Sequence, residues 1–375
     1  MLLEALRLKH FRNLDFVEVE PSSRFNILAG DNGQGKTNFL EAIYLLSAVR
    51  SFRARKNAEL IEFGRDRATL EARVNRGGHE RIVGIEISER GKDVYLNDSP
   101  VQQLSDFFGT VNVVIFGPQD LSILKGSPGE RRDFVDEAIF NGQPAYATEL
   151  DHYEDVLKQR NSLLKEEEPD EALLSVYDEQ LVQYGADVVM RRLDFVENFR
   201  PVLGRVFREI FDEDFVASVE YDMKWADKLQ SPRRAPGSRI DVERVLADAL
   251  EETSRRERER GYTLIGPHRD DLFATLNDKD ISVYGSQGQH RAFILAMKIA
   301  VITYLKDRYH FAPILLLDDV SSELDRERNA LLFEFLREKT DGQVFITTTH
   351  RDYIQLEDDV TVFDVADGVV ERLSG

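Results

Sequence analysis

Eight consecutive residues, Gly30, Asp31, Asn32, Gly33, Gln34, Gly35, Lys36 and Thr37, read GDNGQGKT and fit the pattern G-x-x-x-x-G-K-[ST] without a mismatch. These residue types in this order suit a phosphate chain. The glycines let several backbone N–H groups point inward. The lysine supplies positive charge for the β- and γ-phosphates, and the threonine hydroxyl can ligate Mg2+. That chemistry needs a strand to feed the turn and a helix to leave it. The run Phe25–Ala29 has the length and apolarity of a buried strand, and Asn38–Leu46 carries helical spacing. A chance glycine turn is the competing reading, and the flanking elements weigh against it.

A second group lies far downstream. Ile314–Leu317 is an apolar run ending in Asp318 and Asp319. A buried strand that delivers acids at its C-terminal edge places them beside bound phosphates. Asp318 would hold Mg2+ through water, and Asp319 would orient or deprotonate the attacking water. Apolar strands often end in acids, so this pair gains meaning only from the phosphate loop. Ser322-Glu323-Leu324-Asp325 follows closely. Upstream, Ser286, Gly288 and Gln289 sit in the turn YGSQGQHR just before a long helical pattern, again an anion-binding arrangement or else a plain N-cap by Ser286. Two such helix starts allow one nucleotide to be held between two copies of the chain. His350 follows Phe345–Thr349, at a strand end suited to the γ-phosphate, where a structural histidine is the alternative.

The elements that must position these residues fall into three blocks. Up to about residue 125 the pattern is of short strands with Gly-containing turns, Leu2–Leu8, Asp15–Val19, Thr69–Val74, Arg81–Ile87 and Asp93–Leu96. Residues 126–261 read as charged helices: Glu130–Phe140, Tyr146–Glu166, Glu171–Asp212 and Asp241–Arg260, with a loop at Ser231–Ser238. From 262 to 375 strands and helices alternate again, which argues for a largely parallel sheet. The expected fold is α/β: one head built from 1–125 and 262–375, with a mostly helical arm inserted at 126–261.

Composition narrows the function classes. The net charge is -20, and more than half of it falls between residues 120 and 260. That opposes broad nonspecific nucleic-acid binding, so any DNA contact must use a local basic patch, dimerisation or a partner. Cysteine is absent, excluding a disulfide framework and thiolate metal sites. No apolar run reaches the roughly 18 residues that span a bilayer, and the N-terminus does not read as a signal peptide. The expectation is a cytoplasmic protein with no membrane partner.

Taken together, the ordered motifs resemble the ABC-type ATPase heads of DNA-repair and chromosome-maintenance proteins, and among them the RecF family. Phe11-Arg12-Asn13, Pro118-Gln119-Asp120, the stretch Lys125–Asp136, Leu264–Leu272 and Asp318–Asp325 are similar to that family's segments over nearly the whole chain. The resemblance implies that Arg12, Asn13 and Asp325 contact ATP. Gln119 stands where the family usually has an acid and is assigned to Mg2+ sensing from other ABC-type heads. It further implies slow, DNA-stimulated ATP hydrolysis, an ATP-dependent homodimer, and binding to single-stranded and gapped or duplex DNA. RecO, RecR and RecA are the implied protein partners, in RecA loading, replication and the SOS response.

For DNA, the basic clusters Arg50, Arg53, Arg55 and Lys56, then Arg131 and Arg132, are the candidate phosphate contacts, with an ordinary solvated surface as the alternative. Arg255–Arg260 alternates with Glu257 and Glu259 and reads instead as a salt-bridged helix. Two other functions fit less well: an ABC-type subunit of a transporter, and a noncatalytic nucleotide-dependent interaction module.

Overall fold

The computed structural model describes residues 1–211, 214–226, 238–320, 326–350, 354, 356 and 359–373. Asp325 with the rest of 321–325, and 231–237 of the expected loop, lie outside them. The chain divides into two compact units. The first comprises Met1–Leu121, Arg205–Phe215 and Ser286–Gly375, and the second Ser122–Gly204 and Val216–Gly285. Residues 262–285, placed with the head by sequence, therefore pack within the second unit.

In chain order the strands are β1 (Leu2–Phe11), β2 (Leu14–Val19), β3 (Phe25–Ala29), β4 (Arg67–Arg76), β5 (His79–Ser88), β6 (Gly91–Leu96), β7 (Ser99–Pro100), β8 (Val113–Phe116), β9 (Ala217–Asp222), β10 (Asp271–Leu276), β11 (Lys279–Asp280), β12 (Ile314–Leu317), β13 (Val344–Thr348), β14 (Val360–Ala366) and β15 (Val369–Arg372).

The first unit holds two sheets. One is antiparallel, in the order β2-β1-β4-β5-β6-β7. Its strands alternate as a one-sided sheet should: Ala68, Leu70, Ala72 and Val74 of β4 are buried while their neighbours are not. The other sheet runs β15-β14-β3-β13-β12-β8, with β14, β3, β13, β12 and β8 parallel and β15 returning as a hairpin. β3, β12, β13 and β8 are buried at every residue, which is why they read as largely apolar runs, with only Asn26, Thr347 and Thr348 polar among them.

Between strand β3 and the rest of the chain comes the helix Lys36–Ala48, buried from Phe39 through Ser47. Phe39, Ile43 and Leu46 share one apolar core with Leu8, Leu70 and Ile85 of the antiparallel sheet and Leu28, Leu316 and Phe345 of the parallel one. A helix enclosed this way has no polar face to spare. Truncating Ile43 to alanine would cost about 2–5 kcal/mol. The helix Gln287–Tyr309 is likewise buried without a break from Ala292 to Ile302.

The second unit is built on the helices Pro128–Gly142, Ala145–Leu163 and Arg239–Arg260 and on most of Glu171–Ile210, with a small sheet β11-β10-β9. A capping box joins Ser127 and Glu130 ahead of Pro128, and Gly261 in the left-handed region closes Arg239–Arg260. Arg255 pairs with Glu259 at 3.1 Å along that helix. Inside the unit, Arg160 reaches Glu257 at 2.8 Å, and both are almost fully buried.

Candidate functional site

The register of the parallel sheet brings four strand ends to one edge. Ala29 pairs with Thr348, Leu317 with Ile346, and Leu317 with Phe116. The segments that leave this edge are therefore the glycine loop after β3, the acids after β12, the turn after β8 and the end of β13. This is where an open α/β sheet carries its ligands.

The loop is shaped by close approach. A Cβ on Gly30 would lie 2.1 Å from the carbonyl oxygen of Val365, and one on Gly35, at φ +119°, would lie 2.9 Å from Leu14. Asp31, Asn32 and Gly33 are exposed at its crest. Lys36 is buried, and its ammonium donates to the carbonyls of Gly30 (2.6 Å) and Asp31 (2.7 Å). Burial lowers its pKa, against the opposing fields of Asp319, Asp318 and Asp31. Gln34 is pinned from two sides. Its side chain accepts from Asp367 N at 2.5 Å, and its carbonyl accepts from Gly368 N at 3.1 Å and Asn13 Nδ2 at 3.1 Å. The β14–β15 turn thus braces the loop, a support the sequence did not reveal.

The acids after β12 meet the start of the helix Lys36–Ala48 and the end of β13. Thr37 Oγ1 donates to Asp318 Oδ1 at 2.9 Å, and Thr347 Oγ1 donates to the same oxygen at 2.7 Å. Burial raises the pKa of Asp318, offset in part by these two hydroxyls. A threonine hydroxyl and a carboxylate meeting at a phosphate loop are an oxygen donor set that fits Mg2+. Asp319 follows in the left-handed region, φ 52°, and its N–H donates to Thr347 Oγ1 at 2.9 Å. His350 is exposed just past β13, its N–H donating to Thr348 Oγ1 at 3.1 Å.

Arg12 and Asn13 form the tight turn between β1 and β2, Arg12 at φ 58°. The Arg12 guanidinium makes a two-pronged contact with Glu41, Nε at 2.9 Å and Nη2 at 2.8 Å. Gln119 is exposed in the short turn Pro118–Leu121 after β8, folded back over Gly117. Next to it Asp120 is buried against Lys298 at 3.1 Å. Strand β8, which sets Gln119 at the edge, went unread in the sequence; the apolar run Val113–Phe116 was its signal.

Ser286 and Gln289 form a capping box at the start of Gln287–Tyr309, Gln289 N to Ser286 Oγ at 3.2 Å and Ser286 N to Gln289 Oε1 at 2.8 Å, with Gly288 between them. The N-cap reading thus holds within this chain, and the exposed Ser286 remains at a helix start.

The basic clusters divide. Arg50, Arg55 and Lys56 are exposed. Arg53 bonds to Glu41 at 2.7 Å and Asn38 at 2.5 Å, and Phe52 packs edge-on against Tyr44. In the second unit Arg131 grips Asp271 with Nε at 2.5 Å and Nη2 at 3.0 Å, and Arg132 donates to the carbonyl of Asp270 at 2.7 Å. Both are turned into their own unit. Through these two arginines the stretch Lys125–Asp136 meets Leu264–Leu272, and other residues of the unit hold each of them: Arg192 holds Asp136, Tyr153 holds His268, and Tyr221 and Trp225 hold Asp270.

Fold and edge together define an ABC-type ATPase head with an inserted helical arm, and the chain matches the model of the RecF/RecN/SMC N terminal domain over residues 2–371. Within that class it belongs to the RecF family. It is 38% identical to the DNA replication and repair protein RecF of Geotalea uraniireducens (strain Rf4), over 95% of each chain, and 40% identical to that of Geobacter sp. (strain M21), over 99% of this chain and 100% of the relative. A solved structure of the recombination mediator protein RecF-ATP in the RecFOR pathway superposes with a TM-score of 0.89 at 30% identity, covering 99% of each chain. An Smc head domain from Pyrococcus furiosus shares the fold at 17% identity and a TM-score of 0.57, over 100% of this chain and 96% of that one. Among the described residues no helix is long and apolar enough to cross a membrane.

Proposed function

We propose that this chain is an ATP-driven DNA-repair mediator whose ATP-bound form dimerises and engages DNA at gaps and single/double-strand junctions. The observation that carries the reading is the meeting of Thr37 and Asp318 beside the Lys36 loop. The solved RecF-ATP structure at 30% identity supports ATP as the nucleotide.

In this reading the loop N–H groups of 30–37 and the Lys36 ammonium bind the phosphate chain. Thr37 and Asp318 hold Mg2+, with Gln119 nearby, and the cation when bound neutralises charge on the β- and γ-oxygens. Asp319 orients the attacking water and takes its proton. Arg12 and Asn13 brace the nucleotide side of the loop, and His350 stands toward the γ-phosphate. Ser286, Gly288, Gln289 and Asp325 belong to the partner copy's half of the site, so closure requires two chains. The second unit, Ser122–Gly204 with Val216–Gly285, serves as the arm.

DNA binding rests on Arg50, Arg53, Arg55 and Lys56, with Arg131 held by the Asp271 carboxylate and Arg132 by the Asp270 backbone carbonyl, and so weaker candidates. A chain of net charge -20 needs two such clusters brought together to grip a duplex. RecO, RecR and RecA are the proposed partners in RecA loading, replication restart and the SOS response. Gel shifts on single-stranded, duplex and gapped DNA, with and without ATP at several salt concentrations, test the reading. ATP-dependent retention of gapped DNA is expected, and retention indifferent to ATP contradicts it.

A further inference from the structure

Glu41 is fully buried, yet it is charged and saturated with donors. It lies one helical turn beyond Thr37, on the same face of Lys36–Ala48. Two bonds from Arg12, one from Arg53 at 2.7 Å and one from Ser51 Oγ at 2.5 Å converge on its carboxylate. Burial alone would raise its pKa, but these donors outweigh burial and hold it below the ordinary carboxylate value. The second bond of Arg53 continues the chain: Arg53 to Asn38 Oδ1 (2.5 Å), Asn38 Nδ2 to Asn13 Oδ1 (2.6 Å), Asn13 Nδ2 to the Gln34 carbonyl (3.1 Å). Arg12, bonded to Asn13 through the backbone, returns to Glu41 and closes a ring.

We infer that Glu41 is a positioning residue for the phosphate loop, and that Arg53 acts through it as scaffold of the nucleotide site rather than only as a DNA contact. The inference rests on the proposed nucleotide binding at this loop. Arg12 sits at φ 58°, a conformation a branched chain of bonds must hold against its intrinsic cost. Cutting the ring at Arg53 leaves Asn38 Oδ1 without that donor and loosens the hold of Asn38 on Asn13, and through Asn13 on the Gln34 carbonyl. Lysine at position 53 restores charge but not the two-way fork to Glu41 and Asn38.

The test is titration of the full chain with a fluorescent ATP analogue and Mg2+, without DNA, alongside unfolding midpoints without nucleotide. Arg53→Gln is expected to weaken affinity about tenfold while lowering the midpoint less than Glu41→Gln does, because Arg12 and Ser51 still hold the buried carboxylate, and Arg53→Lys to recover only part. Glu41→Gln is expected to weaken it at least as much and to lower the midpoint, since two arginines lose their counter-charge. The double variant is expected to bind no more weakly than Glu41→Gln alone. Wild-type affinity in Arg53→Gln, or additive losses in the double variant, would overturn the inference. A wild-type chain that fails to bind the analogue overturns the nucleotide reading itself.

Discussion

Thr37 and Asp318 lie 281 residues apart in sequence and 2.9 Å apart in space, hydroxyl to carboxylate. The contact joins the start of the helix Lys36–Ala48 to the end of β12, and it exists because β3, β13 and β12 are adjacent parallel strands in fixed register. A one-residue slip in any pairing would turn Asp318 away from the loop.

The loop lysine is the first point of failure. Lys36→Met removes the only buried ammonium at the loop and leaves Gly30 and Asp31 carbonyls without that donor. The expected loss of ATP affinity is about 10–150-fold, from the worth of a charged hydrogen bond. Titration with a fluorescent ATP analogue reads it, and an unchanged affinity would remove Lys36 from the site.

Binding and turnover should separate at Asp319. Asp319→Asn is expected to keep ATP affinity within a few-fold and to reduce hydrolysis by about 10²–10⁴-fold, the usual worth of a positioned base. Single-turnover hydrolysis checks it. Normal turnover would assign the base elsewhere.

The β14–β15 turn should matter to a loop more than 300 residues upstream. Gly368 sits at φ +79°, and a Cβ there would lie 2.0 Å from the Asn13 carbonyl oxygen. Gly368→Ala is expected to displace Asn13 and Gln34, lowering the unfolding midpoint and weakening ATP binding several-fold. Gly78→Ala is the control: its φ is +87°, but no atom stands within 4 Å of the added carbon. Equal effects of the two on ATP affinity would show backbone strain alone at work.

The second unit carries two opposed titrations. His268 is held down at about 4 by burial, below its ordinary 6.5, so between those values the unfolded chain binds a proton the folded one does not, and stability rises with pH. Asp270 is pushed up by burial to about 7 from 3.8, so the folded chain keeps a proton the unfolded one releases, and stability falls with pH over that window. Each slope is at most about 1.4 kcal/mol per pH unit, and they largely cancel between pH 4 and 6.5. Asp270→Asn removes the falling limb. Its urea midpoint should climb from pH 4.5 to 6.5 more steeply than wild type; parallel profiles would contradict the assignment.

Much of the head was legible because its chemistry is local. The phosphate loop is a contiguous motif, β3, β12 and β13 are short, largely apolar runs that end beside the candidate site residues, and strands buried on both faces can be read without knowing their neighbours. What stayed hidden depends on long-range pairing. Glu41 looks like any polar position on a helix until Arg12 and Arg53 arrive from other segments. Arg131 and Arg132 look like a basic patch until Asp271 and the Asp270 carbonyl, some 140 residues on, claim them. Strand β8 is four residues long and reads as an edge of nothing until β12 pairs with it. The membership of 262–285 in the second unit follows from β10 pairing with β9, a strand the charged surroundings of Ala217–Asp222 disguised.

The most direct measurement is sedimentation velocity of wild type and Ser286→Arg with Mg2+, with and without ATP. The expected result is a monomer that becomes a dimer only with ATP, and a Ser286→Arg chain that binds ATP yet stays monomeric, with the lost cap costing about 1 kcal/mol of stability. Dimerisation of Ser286→Arg equal to wild type, or a wild-type monomer at saturating ATP, would contradict it.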